Sequence, residues 1–430
     1  MTALALLPPP APPLPIRPAR VVPPPIRPAR VVPPPIPLRH GASGCFTGRM
    51  QAFRRIMLRG ALLRVATLGI YRFWLTTESR CFLWANTEIG GDSLEYSGTA
   101  RGHFLGCLMV IALLAPPYAL LWVFTGAVEF GAVAQLSSVG GLAFLGVVGQ
   151  YAYYRACRYR LTHTAFRGIR FRQSGSALAY ALRSLLWAVL TALTLGLAYP
   201  WARASLERYK LAHTHYGSWQ GKFAGSGTQL FARGIGLWLL LMAAAVGFGV
   251  AVSEFVDPDA LRRAGRGASD DEAALAAAQV MLLSLGMVLL AGIAYPLLRA
   301  IVMRWWLEGV RIGPLAVATT LRKRSIVGAY LRCFLYAAPL VIVASIAIFT
   351  VPDDVGELVM TGAGVVTYLV MVLGVWVLHQ TTVKLRIWRL AVDSISIAGF
   401  EAITKVRADS RLPGSAVGEG LADALLTGGI

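Results

Sequence analysis

Residues 193–217 read LTLGLAYPWARASLERYKLAHTHYG, a stretch that begins apolar and becomes strongly basic after Pro200. Tyr and Trp rings concentrate at the level of lipid headgroups, and arginine side chains extend from the apolar layer to phosphate. The stretch therefore indicates a chain leaving the apolar layer of a membrane at its inner surface. Because proline ends or kinks a helix at the preceding residue, we expect a short amphipathic surface helix over 203–212, followed by a Thr-x-x-Gly turn.

Similar spellings recur at four other places in the chain. Residues 67–90 read TLGIYRFWLTTESRCFLWANTEIG and match 194–217 without a gap at Thr, Leu, Gly, Trp, Ala, Thr and Gly. Residues 292–313 and 158–168 give two further copies, and 387–390 gives a faint one. The sequence therefore predicts an internally repeated protein. Repeats of this kind either enclose a central transport site or result from duplication of a stable hairpin.

The composition is that of a chain surrounded largely by lipid. Hydrophobic residues make up 56% of the 430 residues and charged residues only 14%, with a mean hydropathy of +0.60. A soluble protein carries about a quarter charged residues. The net charge is +20. Since the basic residues lie between the apolar runs and not on a soluble basic domain, a cytoplasmic membrane face explains them better than nucleic-acid binding does.

A spanning helix needs about 20 mostly apolar residues, and six segments meet this condition clearly. They are 104–124, 138–154, 229–252, 276–298, 327–350 and 359–379. Segments 56–75 and 177–199 are ambiguous because they contain arginines. If both cross, there are eight spans and the basic stretch 155–176 lies outside. If neither crosses, there are six spans, every basic stretch lies inside, and both ambiguous segments are re-entrant or interfacial.

We therefore predict an all-α, polytopic membrane protein of internally repeated helical hairpins, with six to eight membrane segments and both termini in the cytoplasm. Residues 1–45 are predicted to be a disordered Pro/Arg-rich arm, because IRPARVVPPP occurs twice in tandem and proline forbids helix. The arm either lies near anionic headgroups or is a duplication or misplaced start without function. Residues 46–405 form the repeated membrane domain, and 406–430 form a flexible tail.

Four stretches carry a resemblance to a known family. They are FTG at 46–48, TLGIYRFW at 67–74, FRGIRF at 166–171 and TLGLAYPWARASLERYKLAHT at 194–214. These stretches resemble the YjgN-like family of bacterial inner-membrane proteins, over roughly 46–405 of this chain. The resemblance implies a multi-pass protein of the bacterial inner membrane with repeated membrane hairpins. The family has no established molecular function, so the resemblance implies no catalytic residues.

Each copy of the repeat places aromatic and basic residues just past an apolar run, and we predict that these side chains lie at the membrane interface. They are Trp74, Arg158, Tyr159, His163, Trp201, Arg203, Arg208, Tyr209, His213, Arg299 and Arg304. Arg64 and Arg183 lie deeper in apolar segments, where a charge costs about 3 kcal/mol or more. These two arginines either contact an anion or substrate along a pathway or anchor the chain at the interface.

Nothing in the sequence specifies catalysis. No Walker loop, GxGxxG, HExxH or GxSxG motif occurs, and the five cysteines include no CxxC pair. His163, His213 and His215 lack an acid or a cysteine at a metal-ligand spacing. We therefore expect free thiols and interfacial histidines, with no enzyme activity, no cofactor and no metal site.

Two classes of function remain from the sequence. The first is a transporter or channel-like protein, because the repeats and the prolines at 116, 117 and 339 are features of transporters with broken helices. The second is a non-catalytic membrane scaffold or lipid-interacting protein, because interfacial motifs dominate the chain. The expected partner is membrane lipid and not nucleic acid. The sequence specifies neither a small-molecule substrate nor an oligomeric state.

Overall fold

The computed structural model describes residues 41–102, 104, 108, 131–265, 271–349 and 357–406. Residues 1–40 of the predicted arm, Pro116 and Pro117, most of the predicted segment 104–124 and the residues after 406 lie outside these ranges, whereas residues 41–45 of the predicted arm lie in a β-strand.

A closed antiparallel β-barrel is the centre of the fold. Its strands are β1 Gly41–Phe46, β2 Thr87–Ile89, β3 Asp92–Tyr96, β4 Thr164–Phe166, β5 Ile169–Gln173, β6 Thr214–Tyr216, β7 Trp219–Phe223, β8 Val310–Ile312, β9 Leu315–Thr319 and β10 Ile395–Ala398. Each strand pairs with its neighbours in the sequence, and β10 pairs with β1, which closes the barrel. Strands collected from residues 41 to 398 thus form a single sheet.

The prediction of an all-α protein is wrong, because it missed this barrel. The strands have only three to six residues, and strand periodicity shows in a sequence only over about 4–8 alternating residues. The predicted Thr-x-x-Gly turn is itself part of a β-hairpin. Thr214 begins β6, and Gly217 takes a left-handed φ of 54° at the tip of the hairpin. Such a φ favours glycine, which explains why glycine ends each good copy of the repeat.

Helices connect successive β-hairpins. They are α1 Met50–Ala66, α2 Arg72–Ala85, α3 Gly131–Thr162, α4 Ala177–Leu193, α5 Tyr199–Ala212, α6 Gly227–Phe255, α7 Pro258–Gly265, α8 Asp271–Gly309, α9 Lys323–Phe349, α10 Glu357–Leu378 and α11 Leu385–Asp393. A π-helical segment, His379–Lys384, joins α10 to α11, and a 3₁₀ helix, Phe400–Lys405, follows the last strand. Helices α8 and α9 continue through Pro296 and Pro339, so neither proline interrupts its helix.

Within the described ranges, four helices are long and apolar enough to cross a membrane. They cover Gly227–Phe255, Asp271–Gly309, Lys323–Ala347 and Gly362–Asp393. The described chain therefore does not support the predicted six to eight membrane segments. Helix α4, Ala177–Leu193, has 17 residues. Its length is about 26 Å, which is shorter than the apolar layer of about 30 Å.

The interior of the barrel is filled by side chains. Phe166, Tyr216, Leu315, Ile397 and Ile403 form a buried cluster, in which Ile403 comes from the 3₁₀ helix. The hydroxyl of Tyr216 donates a hydrogen bond of 3.0 Å to the carbonyl of Phe166, so its one polar group is satisfied. The barrel is thus a packed core that holds the helix ends together.

Candidate functional site

Two helical hairpins leave the barrel and return to it. The first helical hairpin (residues 50–85) consists of α1 and α2, and the second (residues 177–212) consists of α4 and α5. The first lies between β1 and β2 and the second between β5 and β6, and each of these strand pairs is adjacent in the barrel. Both ends of each helical hairpin are therefore fixed at the barrel, and the connection between its helices is the point farthest along the chain from either end.

The two connections have the same backbone structure. In the first helical hairpin, the hydroxyl of Thr67 donates to the carbonyl of Leu63 at 2.7 Å and accepts from the N–H of Tyr71 at 2.9 Å. In the second, Thr194 makes the corresponding bonds at 2.8 and 3.0 Å, to the residues four positions before and after it. One hydroxyl therefore satisfies groups at the end of one helix and the start of the next.

A leucine occupies a strained position at each tip. Leu68 has a φ of 49° and Leu195 a φ of 48°, and a glycine follows each of them. The left-handed conformation costs a non-glycine residue about 1–2 kcal/mol. The side chains are nevertheless 95% and 71% exposed, so side-chain packing within the described protein does little to offset this cost, although the carbonyl of Leu195 accepts a hydrogen bond of 2.9 Å from the indole N–H of Trp238. A large apolar side chain held at an exposed, strained tip indicates that the tip enters an apolar environment.

Three of the predicted interface residues, on α3 and α5, bind the loops that leave the β-hairpins. The guanidinium groups of Arg158 and Arg208 donate to the carbonyls of Gly175 and Gly225, each 17 positions later. The hydroxyl of Tyr209 bonds both backbone groups of Ser176, the N-cap of α4; it accepts from the N–H at 3.1 Å and donates to the carbonyl at 2.9 Å. These contacts fasten the helices to the barrel.

The predicted histidines face the backbone of their own helices. The Nδ1 atoms of His163 and His213 lie 2.8 and 2.7 Å from the carbonyl oxygens of Tyr159 and Tyr209. His215 lies on β6, opposite an arginine of β5. Across the described ranges, no group of three His, Cys, Asp or Glu side chains is arranged to hold a metal ion.

A buried ion pair joins the second helical hairpin to its neighbours. Glu207 is only 2% exposed, and its carboxylate lies 2.8 Å from the ammonium group of Lys210 and 3.5 Å from the guanidinium of Arg203. The indole N–H of Trp306 donates to the same carboxylate at 3.0 Å. Burial acts to lower the pKa of Lys210, but the charge of Glu207 and the nearby phenol of Tyr153 outweigh it, so the pKa lies above its usual range.

Glu207 was not predicted from the sequence, although a signal was present. It is the one acid between 193 and 217 and stands four residues after Arg203 and three before Lys210, where helical neighbours meet.

The remaining interface residues lie on the surfaces of helices. Arg299 donates to the hydroxyl of Tyr295 at 3.1 Å, and Arg304 lies 2.8 Å from the carboxylate of Glu308, which also pairs with Arg233 at 2.8 Å. The two predicted tryptophans contact aromatic rings: Trp74 stacks on Tyr71 at a centroid distance of 6.4 Å, and Trp201 packs at a tilt against Phe231 at 5.1 Å. None of these contacts tests a position at the membrane interface, which stays a prediction.

The two candidate pathway residues lie on different helical hairpins. The guanidinium of Arg64 stacks on the ring of Trp376 at 5.4 Å, and that of Arg183 stacks on the ring of Tyr209 at 4.9 Å. Arg183 also lines a groove of about 390 Å³, together with Leu186, Trp187, Val189, Leu190, Leu193 and Ser205. The structure therefore places an exposed cation at one end of an apolar groove on the second helical hairpin.

Comparison with known proteins identifies relatives of this chain. The model of the family DUF898, described as a bacterial protein of unknown function, matches residues 43–424. Over 127 residues, the chain is 28% identical to the inner membrane protein YjgN of Escherichia coli O157:H7 and 27% identical to that of Escherichia coli strain K12. Each alignment covers 29% of this chain and 29% of the relative, so the chain spans under a third of the curated relatives it matches. No solved structure matches it. Together with the four apolar helices, these relatives identify an inner-membrane protein.

Proposed function

Because the chain belongs to the DUF898 family of bacterial proteins of unknown function, we propose a function from its own geometry. It is a multi-pass, lipid-interacting protein of the inner membrane. Its barrel lies at the cytoplasmic surface and holds two helical hairpins within the adjacent lipid leaflet. Its action on lipid is physical and not catalytic, since the hairpins displace and order the lipids around them.

The observation that carries this proposal is the pair of exposed leucine tips on helical hairpins that return to the barrel. The returning helices α2 and α5 have 14 residues each, which corresponds to about 21 Å. If the barrel rests on a headgroup layer of about 7 Å, the tips reach about 14 Å into an apolar layer whose midplane lies at about 15 Å. The length of the hairpins therefore fits one leaflet.

The distribution of charge supports a cytoplasmic barrel. Arg170 and Lys222 are exposed on the barrel wall. Residues 253–275, around the connection between α6 and α8, hold six acids and three arginines, and Arg262 and Arg263 pair there with Asp259 and Glu272. Because basic residues concentrate on the cytoplasmic side of bacterial membranes, this arrangement favours a barrel and both termini in the cytoplasm.

An internal repeat accounts for the two helical hairpins. Each contains a first helix of 17 residues, the same threonine-stabilised turn, a second helix of 14 residues and a β-hairpin. We infer that duplication of this unit produced both. Duplication of a stable hairpin is sufficient to explain the pattern, and a transport site between the copies is not required.

A transporter or channel stays a sequence-based prediction. The filled interior of the barrel does not favour a pore through it. Transport of a labelled solute by the purified chain in liposomes, above empty liposomes, would support that class instead.

The depth of the tips tests the proposal. In a chain without its five cysteines, single cysteines replace Leu68, Leu195 or, as a control on the barrel wall, Arg170, and each is labelled with bimane. Lipids brominated near the end of the acyl chain should quench the two tip labels more strongly than lipids brominated near the headgroup. The label at 170 should respond to iodide in the buffer instead. Tip labels quenched by iodide and not by brominated lipid would overturn the proposal.

A further inference from the structure

We propose that the groove on the second helical hairpin binds one anionic phospholipid, with its phosphate at Arg183 and an acyl chain along the apolar wall. The inference rests on the proposed function, because a lipid reaches the groove only if this hairpin lies in the leaflet. It adds a defined site and a preference for negatively charged headgroups.

The shape and chemistry of the groove match an anionic lipid. Its volume is about 390 Å³, and Leu186, Val189, Leu190 and Leu193 line it with exposed apolar side chains. The cation, Arg183, lies nearest the barrel. An acyl chain that lies along these side chains covers apolar surface that would otherwise contact the mobile chains of other lipids. The lipid phosphate accepts charge-assisted hydrogen bonds from the guanidinium.

The length of the groove matches one leaflet. Ten residues separate Arg183 from Leu193 along helix α4, which corresponds to about 15 Å, half of an apolar layer of about 30 Å. Arg183 lies six residues after the start of α4 at Ala177, about 9 Å from the barrel end of the helix. That depth is close to the inner edge of the headgroup layer, where phosphate and glycerol groups lie.

The guanidinium of Arg183 is positioned to accept a ligand. It stacks on the ring of Tyr209 at 4.9 Å, and the hydroxyl of this tyrosine is held by both backbone groups of Ser176. In the described chain, no carboxylate lies within ion-pair distance of Arg183, in contrast to Arg203 beside Glu207. A guanidinium held over an aromatic ring keeps N–H donors that can bind a phosphate.

The first helical hairpin lacks this arrangement. Counted back from the shared Thr-Leu-Gly turn, Arg183 corresponds to Ile56 and Trp187 corresponds to Gly60. Gly60 packs closely against Leu75, so the two helices approach each other there and form no groove for an acyl chain. The lipid site is therefore a property of the second helical hairpin, and the first supplies an internal comparison.

Native mass spectrometry of the full chain released from detergent tests the site. Phosphatidylglycerol and phosphatidylethanolamine with identical acyl chains are titrated separately. The wild type should retain one phosphatidylglycerol in preference to phosphatidylethanolamine. Arg183→Gln should weaken retention of phosphatidylglycerol about tenfold, equivalent to about 1.4 kcal/mol, and weaken retention of phosphatidylethanolamine less, because the ammonium group of that lipid offsets the charge of its phosphate. Leu190→Trp, which fills the groove and keeps the charge, should weaken retention of both lipids. Arg170→Gln removes one exposed arginine from the barrel wall and should change neither.

Three results would overturn the inference. They are equal retention of both lipids by the wild type, retention of phosphatidylglycerol unchanged in Arg183→Gln, and displacement of the lipid by millimolar inorganic phosphate, which would indicate a simple phosphate site. If the tips of the hairpins reach the bilayer centre in the bimane experiment but the lipid preference is absent, the proposed function stands and this inference fails. If the tips stay in water, the proposed function fails first.

Discussion

Replacement of Glu207 by glutamine should strongly destabilise the protein. The carboxylate is 2% exposed and lies 2.8 Å from the ammonium group of Lys210, whose side chain is 13% exposed. The glutamine amide would keep an oxygen acceptor for the indole N–H of Trp306 but would leave a buried ammonium without its counter-charge. Removing one partner of a buried ion pair costs about 3–5 kcal/mol, so we expect a loss of about 3 kcal/mol. The pair with Arg203 adds little, because it is longer and the arginine is more exposed.

Thermal unfolding in detergent, followed by tryptophan fluorescence, measures this effect. Glu207→Gln should lower the unfolding midpoint by roughly 3 °C, because the unfolding entropy of a chain of 430 residues is about 0.9 kcal/mol/K. Adding Lys210→Met removes the unpaired charge and should recover at least half of the loss. Arg203→Gln, which removes only the longer and more exposed of the two ion pairs, should change the midpoint little. A Glu207→Gln protein as stable as the wild type, or a double variant no more stable than the single one, would show that the buried pair does not contribute this stability.

The buried pair of Glu207 and Lys210 makes the stability of the folded protein depend on pH. The pKa of Lys210 is raised in the folded protein, because the attraction of Glu207 outweighs burial. The folded state then holds the proton more tightly than the unfolded chain does, so the stabilisation is complete below the ordinary lysine pKa of about 10.4 and declines only above it. The difference in midpoint between the wild type and the double variant should therefore be constant from about pH 7 to 9 and should shrink only at higher pH.

Three further predictions concern the turns and the hydrogen bonds that hold the second helical hairpin and the β-hairpins, and the same unfolding measurement tests them. Tyr209→Phe removes both hydrogen bonds of its hydroxyl and should cost about 1–2 kcal/mol; no loss would show that these bonds contribute nothing. Gly313→Ala places a Cβ 2.8 Å from the indole of Trp219 and should cost clearly more than Gly168→Ala, which has a similar φ in open space; equal losses would contradict this. Leu195→Gly should change stability in detergent by less than about 1 kcal/mol, because relief of the left-handed strain is offset by the greater freedom of glycine in the unfolded chain; a loss of several kcal/mol would show that the turn is not strained.

Helix positions were predictable because hydropathy is local. The predicted segments 229–252, 276–298, 327–350 and 359–379 fall on α6, α8, α9 and α10, apart from one or two terminal residues that the helices or the described ranges do not include. Any window of about 20 residues contains the information needed to find such a segment.

The barrel could not be predicted from the same kind of information. Its closing pair joins Ser43 to Ser396, and such a pairing leaves no signal in any local window. In the sequence, the β-hairpins appear only as the motif Thr-x-x-Gly, which is equally compatible with a simple turn. A glycine recurring at the same place in each copy was the one hint that a left-handed position, and therefore a tight hairpin, was required.

The candidate site was predictable in composition but not in its contacts. The repeats pointed to Arg208 and Tyr209, whose side chains bind the loops leaving the β-hairpins. Aromatic and basic residues past an apolar run are typical of lipid headgroup contacts, and the sequence cannot distinguish a phosphate from a backbone carbonyl as the acceptor. Arg183 was identified because a charge in an apolar segment is costly. Its groove depends on the packing of α4 against Ser205 of α5, which only the fold supplies.

The side of the membrane on which the barrel hairpins lie tests the account most directly. Single cysteines replace Ala165 of β4, Ser218 in the turn after β6, and Gly265 at the end of α7, in a chain free of its native cysteines, and intact spheroplasts are exposed to a membrane-impermeant maleimide. Only the cysteine at 265 should react from outside, and those at 165 and 218 should react only after the membrane is permeabilised. Labelling of 165 without 218, or of 218 without 165, from outside would mean that residues 177–212 cross the membrane, and the two strands could not then belong to one barrel.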